Sequence, residues 1–229
     1  MWANIALILG AYILGSVPHL PLIAKLRRLD LEGDYHENLW NRAGKVVGFI
    51  GVIGEFIKGM LPVLIGRALG FDIVIVAIAG LAAVCGQMWP VFSRFDGEKG
   101  NSIAIAVSLA LVPIPALVAI AAVVISLIFR TAPRLKAKSG LSGDSALIGG
   151  GYSRSLPLGM FACFLLLPFT CWWFGEPPGV IWCCAALYIL IMIRRLTAGL
   201  GRDLKTSSDV KGILLRRFLY DRSTTAWRQ

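Results

Sequence analysis

The chain has 229 residues, 57% of them hydrophobic, with a mean hydropathy of +0.73 and only 16% charged residues. Soluble domains carry about 25% charged residues, so the composition excludes a soluble globular protein and predicts an all-α polytopic membrane protein. The net charge of +10 is assigned to the cytoplasmic membrane face and its anionic lipids, not to nucleic acid.

Apolar runs fall at about 2–24, 46–66, 72–92, 101–130, 156–174 and 179–193, and one crossing needs roughly 20 apolar residues. The first opens "MWANIALILG", with no basic n-region and no small-residue cleavage site, and reads as an uncleaved anchor. Its end, "GSVPHLP", carries His19, read as a polar residue of helix packing.

Next comes "LEGDYHENLWNRAGK", residues 31–45, which gathers Asp34, His36, Glu37, Asn38 and Arg42 within nine positions. Asp34 or Glu37 beside His36 would orient the imidazole as a general base for a substrate hydroxyl. The alternative is a solvated loop ending in an interfacial anchor, Trp40. No metal or other cofactor is assigned to this stretch.

The second run contains "GVIGEFIKG", residues 51–59. Glu55 and Lys58 are three apart, share a helix face and form a structural pair that neutralises itself inside the membrane. Gly48, Gly51 and Gly54 would let a neighbouring helix approach closely.

Between the third and fourth runs stands "RFDGEKGNS", residues 94–102. Gly97 and Gly100 free the backbone to turn, Asn101 or Ser102 would cap the helix that follows, and Lys99 lies near that helix's start. Helix N-termini offer N–H groups and a positive dipole end to anions, so the stretch reads as a phosphate cradle. The fourth run is too long for one ordinary span and holds Pro113 and Pro115 at its middle, so it is either one kinked helix or two short ones meeting at a Pro-Ile-Pro turn.

Charge supports the split. With seven segments and the N-terminus outside, the cytoplasmic stretches 25–45, 93–100, 130–155 and 194–229 hold five, two, five and nine Lys/Arg. The other side keeps only Arg67, and Lys58 lies within a span. The expectation is therefore about seven transmembrane helices, N-out and C-in. One transmembrane domain covers 1–200, and 201–229 forms a basic tail whose stretch 210–223 rests on the membrane surface as a helix. Cys85, Cys163, Cys171, Cys183 and Cys184 read as buried small hydrophobes without disulfides.

These residues resemble the acyl-phosphate-dependent glycerol-3-phosphate acyltransferases of bacteria, the PlsY-like family. The resemblance rests on "GSVPHLPLIAKL" at 15–26, "AGKVVGFIGVIGEFIKGMLPV" at 43–63 and "GQMWPVFSRFDGEKG" at 86–100. Three departures accompany it. "LEGDYHEN" replaces a glycine- and asparagine-rich first signature, keeping Asn38. Gln87 stands in place of a second-signature histidine and Glu98 in place of a glycine. The third signature is reduced to Arg195, Leu196 and Gly199, with Gly201 in place of a glutamate.

The resemblance implies a seven-helix enzyme of the bacterial plasma membrane with its site facing the cytoplasm. Its implied partners are acyl phosphate and glycerol 3-phosphate, and it needs no cofactor. Lys99, with Gly97, Gly100, Asn101 and Ser102, would hold a phosphate. Asn38 and Arg42 would hold the other anion, and His36 with Asp34 would supply the base. Two further readings stay open: a paralogue acting on another phosphorylated polyol or lipid, and a non-catalytic or transport-like membrane protein.

Overall fold

The computed structural model describes residues 1–29, 39–137, 155–206 and 209–220. Helix α1 (Trp2–Ser16) and helix α2 (His19–Leu26) continue one another across a break at Val17, held extended (φ −61°, ψ 119°) by the proline that follows. After a single π-helical turn (Leu39–Ala43) come α3 (Lys45–Ala68), α4 (Ile73–Met88), α5 (Asn101–Leu111) and α6 (Pro113–Ala137). Helices α7 (Ser155–Trp173), α8 (Pro178–Thr197), α9 (Leu200–Thr206) and α10 (Val210–Tyr220) follow. Among the described residues five stretches, Trp2–Leu26 among them, are long and apolar enough to cross a membrane, and two shorter apolar stretches are Asn101–Leu111 and Pro113–Phe129.

The fourth apolar run does divide, at Val112, because a residue before proline disfavours helix and Pro113 suits the first helical position. The division is unequal. Helix α5 has 11 residues, about 16 Å at 1.5 Å per residue, roughly half of a bilayer core. It is too short to cross alone, so the fourth run gives a short helix followed by a second one, not a single kinked span.

Contacts sort the helix ends into two groups. At one end Arg67 of α3 donates to the Ala110 and Leu111 carbonyls of α5, both at 3.0 Å. There too Thr170 of α7 donates to the Pro115 carbonyl at 3.1 Å, and Gly179 of α8 faces Val74 of α4. At the other end Arg194 of α8 reaches residues 96–98, and Arg195 Nη1 donates to the Pro157 carbonyl at 3.3 Å. The basic stretches at 93–100 and from 194 onward therefore share one end of the bundle with the start of α7.

Helices α1 and α4 touch through glycine. A Cβ at Gly15 would fall 2.1 Å from the Ala83 carbonyl oxygen, and one at Gly86 would fall 2.2 Å from that of Tyr12. On α3, Gly59 faces the Ile103 carbonyl of α5. Gly48 receives the Trp40 backbone and ring, Gly51 the Leu20 side chain and Gly54 the His19 ring, so the neighbours that approach there are the π-helical turn and α2. Leu39 and Leu20 are fully buried at that contact.

Within the stretch expected to rest on the membrane surface, residues 210–220 form a helix seated partly on the protein, and 221–223 lie outside the described residues. Arg217 pairs with Asp203 at 2.6 Å, both side chains 4% exposed. Its guanidinium also reaches the Ala198 carbonyl, and Phe218 stacks edge-on against Phe161 at 5.2 Å. Of the basic residues on this helix, Arg217 thus turns inward, while Lys211 and Arg216 stay exposed.

Candidate functional site: a clamped loop at the start of a half-helix

Helix α5 begins where α3 has already run 14 residues, since Gly59 packs on Ile103 and Lys45 starts α3. At 1.5 Å per residue its N-terminus lies about 20 Å from that end of α3. The connection from α4, residues 89–100, thus sits at the depth of Lys58.

Two glycines in it are obligatory for different reasons. Gly100 is the cap residue, in the left-handed region at φ 75°, and a Cβ there would also meet Met88 Cε at 2.8 Å. Gly97 presses on α4: a Cβ would fall 2.2 Å from the Gln87 carbonyl oxygen and 2.4 Å from Pro90 Cδ. Asn101 and Ser102 were expected to cap α5. Neither does, because Gly100 occupies the cap and no side chain accepts a bond there. The Asn101 Oδ1 atom is buried without a hydrogen-bond partner among the described residues. Lys99, exposed, immediately precedes the cap.

The loop is strained and then tied down. Arg94 and Phe95 both adopt positive φ, 53° and 62°, each at a cost of about 1–2 kcal/mol for a non-glycine residue. Against that, Glu98 N–H donates to the Gln87 carbonyl at 3.1 Å. Arg194 Nε donates to the Glu98 carbonyl at 3.3 Å, and its Nη2 donates to Asp96 at 3.0 Å and to the Gly97 carbonyl. The same guanidinium lies 6.0 Å from the Trp89 ring centre.

Beneath the loop lies a buried polar group. Glu55 and Lys58 are 2% and 6% exposed, and Gln87 bridges them. Its Nε2 donates to Glu55 at 2.7 Å, and its Oε1 accepts from Lys58. Lys58 Nζ also donates to the Val17 carbonyl at 2.9 Å and lies 3.4 Å from His19 Nδ1. An ammonium has three protons, and these three acceptors match them. His19 Nε2 meets the Gly51 carbonyl at 3.0 Å, so Nε2 carries the proton and Nδ1 accepts. Both ring nitrogens are engaged.

Of the residues singled out in the sequence, the structure brings Gly97, Lys99, Gly100, Asn101 and Ser102 together on the loop and first turn of α5. Glu55 and Lys58 lie behind them. Arg42 is the next-to-last residue of the π-helical turn and is exposed. Asp34, His36, Glu37 and Asn38 lie outside the described residues. Among the described residues, no three His, Cys, Asp or Glu side chains come together to hold a metal ion. All five cysteines are thiols, Cys171 and Cys184 with sulfurs 3.7 Å apart. Sequence reasoning missed Arg194, which read as one more positive charge at a helix end, and the bridging role of Gln87. The signal for Gln87 was an amide in an otherwise apolar helix.

A family profile described as glycerol-3-phosphate acyltransferase matches residues 5–202. A glycerol-3-phosphate acyltransferase of Geotalea daltonii is 39% identical over 133 residues, 56% of this chain and 69% of that protein. One of Trichlorobacter lovleyi is 41% identical over 53% of this chain and 65% of that protein. The chain thus spans about two thirds of the length of these relatives. Glycerol-3-phosphate acyltransferase 4 of Dehalococcoides mccartyi aligns over 95% of this chain and 90% of its own, at 27% identity. Among solved structures, the glycerol 3-phosphate form of the integral membrane acyltransferase PlsY superposes with a TM-score of 0.68 at 25% identity, covering 89% of this chain and 93% of that one.

Proposed function

The chain belongs to the glycerol-3-phosphate acyltransferase family, and from that premise we propose that it acylates glycerol 3-phosphate with acyl phosphate, making lysophosphatidic acid for phospholipid synthesis. The observation that carries the site assignment is the N-terminus of α5, which opens inside the bundle behind a glycine cap, with Lys99 beside it. Amides at a helix start and a lysine suit a phosphate, and a charge-assisted contact is roughly twice as strong as a neutral one. A solved relative is named as a glycerol 3-phosphate form, which supports that acceptor.

In the reaction the acceptor hydroxyl oxygen bonds to the acyl carbon, and the carbon–oxygen bond to phosphate breaks with its electron pair leaving on phosphate. The hydroxyl proton goes to a base. His19 is an unsuitable base, since both of its nitrogens are occupied. The role is assigned to His36, oriented by Asp34, while Asn38 and Arg42 hold the second anion. The chain is assigned to the bacterial plasma membrane, N-terminus outside, with the loop and the basic end of the bundle facing the cytoplasm.

Purified protein given a long-chain acyl phosphate and radiolabelled glycerol 3-phosphate should release labelled lysophosphatidic acid. His36→Ala should abolish turnover while leaving KM for glycerol 3-phosphate within about twofold, the separation expected of a base that does not bind the ground state. Product from a different phosphorylated polyol, and none from glycerol 3-phosphate, would reassign the acceptor. Absence of acyl transfer to any of them would overturn the enzyme reading.

A further inference from the structure

We propose that Arg194 is the positioning residue of the phosphate-holding loop: its guanidinium sets the backbone of Asp96–Glu98, from which Lys99 and α5 depart. The inference rests on reading Lys99 as a phosphate ligand and adds to it the group that makes the loop hold one shape.

Four observations converge on the same side chain. Arg194 is 6% exposed, on the last turn of α8, although α8 is far from the loop in sequence. The bonds it makes from Nε and Nη2, to Asp96, Gly97 and Glu98, all fall within three consecutive residues of the loop. Its charge lies 6.0 Å from the Trp89 ring centre, at the loop's first residue. From the opposite side Gln87 holds the same peptides through Glu98 N–H at 3.1 Å. The segment is thus gripped by α8 on one side and α4 on the other.

The grip has a chemical consequence. Carbonyl oxygens repel an anion, and a loop left to itself could turn any of them toward the phosphate. Here the carbonyls of residues 97 and 98 are committed to the guanidinium. In a trans peptide the C=O and the following N–H point in opposite directions. Tying the Glu98 carbonyl to Arg194 therefore directs the Lys99 N–H away from Arg194. The helix start that follows is presented in a fixed frame, which lowers the ordering cost of binding. Two adjacent left-handed residues, Arg94 and Phe95, are a conformation that only such external ties retain.

A lysine cannot replace this arginine. The Nε–Nη2 edge engages two successive carbonyls and a carboxylate at once, whereas an ammonium is a point charge on a flexible stem. A residue needed only for packing would tolerate lysine or glutamine wherever the protein still folds.

The test uses the full-length protein in detergent micelles, with monodisperse fractions taken for kinetics and thermal unfolding recorded beside them. Arg194→Gln should raise KM for glycerol 3-phosphate by about tenfold, the loss of one charge-assisted contact's worth of binding, with a smaller fall in kcat. Arg194→Lys should recover only part of that loss. In Arg194→Ala, added methylguanidinium should lower KM again, which packing alone would not produce. Lys99→Ala is the comparator. If Lys99→Ala raises KM and no Arg194 variant does, the positioning role is wrong and the phosphate reading stands. If Lys99→Ala also leaves KM unchanged, the phosphate reading fails with it. Full wild-type kinetics in Arg194→Lys would overturn the argument from the forked guanidinium. Should Arg194→Gln or Arg194→Ala fail to fold, the KM of Arg194→Lys decides.

Discussion

Replacing Gly97 with alanine tests how the loop is held. The added Cβ falls 2.2 Å from the Gln87 carbonyl oxygen and 2.4 Å from Pro90 Cδ, where ordinary contact begins at 3.4 Å. One neighbour is backbone and the other a proline ring, so neither can rotate away. The peptide at 97 must retreat by about 1 Å, the gap between 2.2 and 3.4 Å. That retreat stretches the Glu98 N–H bond to Gln87 beyond its 3.1 Å and pulls the Gly97 carbonyl off Arg194. Overpacking costs about 1–3 kcal/mol and each of the two lost hydrogen bonds about 1 kcal/mol, so the variant should lose about 3–5 kcal/mol. Thermal unfolding in detergent should fall by about 5 °C or more, and KM for glycerol 3-phosphate should rise as the helix start loses its frame. Gly10→Ala is the control, because nothing lies within 4 Å of its Cβ and it sits inside α1. It should be neutral or stabilising by about 0.5–1 kcal/mol. A Gly97→Ala protein that melts and binds like the parent would refute the account of the loop.

Lys58→Met should destabilise the protein by about 3 kcal/mol, since it strips a shared donor from the Val17 carbonyl, Gln87 Oε1 and His19 Nδ1 and removes the cation nearest the buried Glu55. Adding Glu55→Gln should restore part of the melting temperature, and a double variant weaker than the single would contradict this. Asp203→Asn leaves the buried Arg217 guanidinium without its carboxylate, which should cost about 3 kcal/mol or more and open the 197–220 region to limited proteolysis. Protection equal to the parent would mean that the pair does not hold α10. In a cysteine-free background, Ser93→Cys and Lys211→Cys should react with an impermeant thiol reagent from one side of a sealed vesicle and Leu69→Cys from the other. Labelling of Ser93→Cys and Leu69→Cys from the same side would defeat the topology.

Much of the fold is legible because the bilayer makes hydropathy a strong signal and backbone groups must be satisfied within each segment. Pro113 and Pro115 announce the break in the fourth run, and Gly97 and Gly100 announce a turn that no other residue could make. The half-length of α5 is not legible, since composition does not say where in the bilayer a helix starts. That depth is set by Gly59 against Ile103 and by Arg67 capping the Ala110 and Leu111 carbonyls. Arg194 is hidden for a related reason. At a helix end its charge matches the positive-inside bias, and only the return of α8 to the loop gives it acceptors. The Glu55–Lys58 pair is readable as an i, i+3 couple, yet Gln87 and the Val17 carbonyl reach it from segments 29 and 41 residues away.

The buried charges raise one more question, whether so polar a centre could be part of a path across the membrane. The half of the bundle beyond Lys58 answers it. Val63, Val76, Ala79, Ile103, Ala106 and Val107 are each 0–2% exposed, and Gly80 is close enough to Val107 that a Cβ would fall 2.6 Å from it. Among the described residues that half, from Lys58 to Arg67, is packed mainly with buried apolar side chains. The ammonium's three protons are matched by fixed acceptors on α2, α4 and the α1–α2 break, so it has no proton to pass onward without leaving a buried carbonyl unpaired. A transport site needs two exits and weakly held ligands; this centre is packed with apolar side chains on one side and saturated. The polar group instead braces the inner surface against which a half-helix can present its N-terminus.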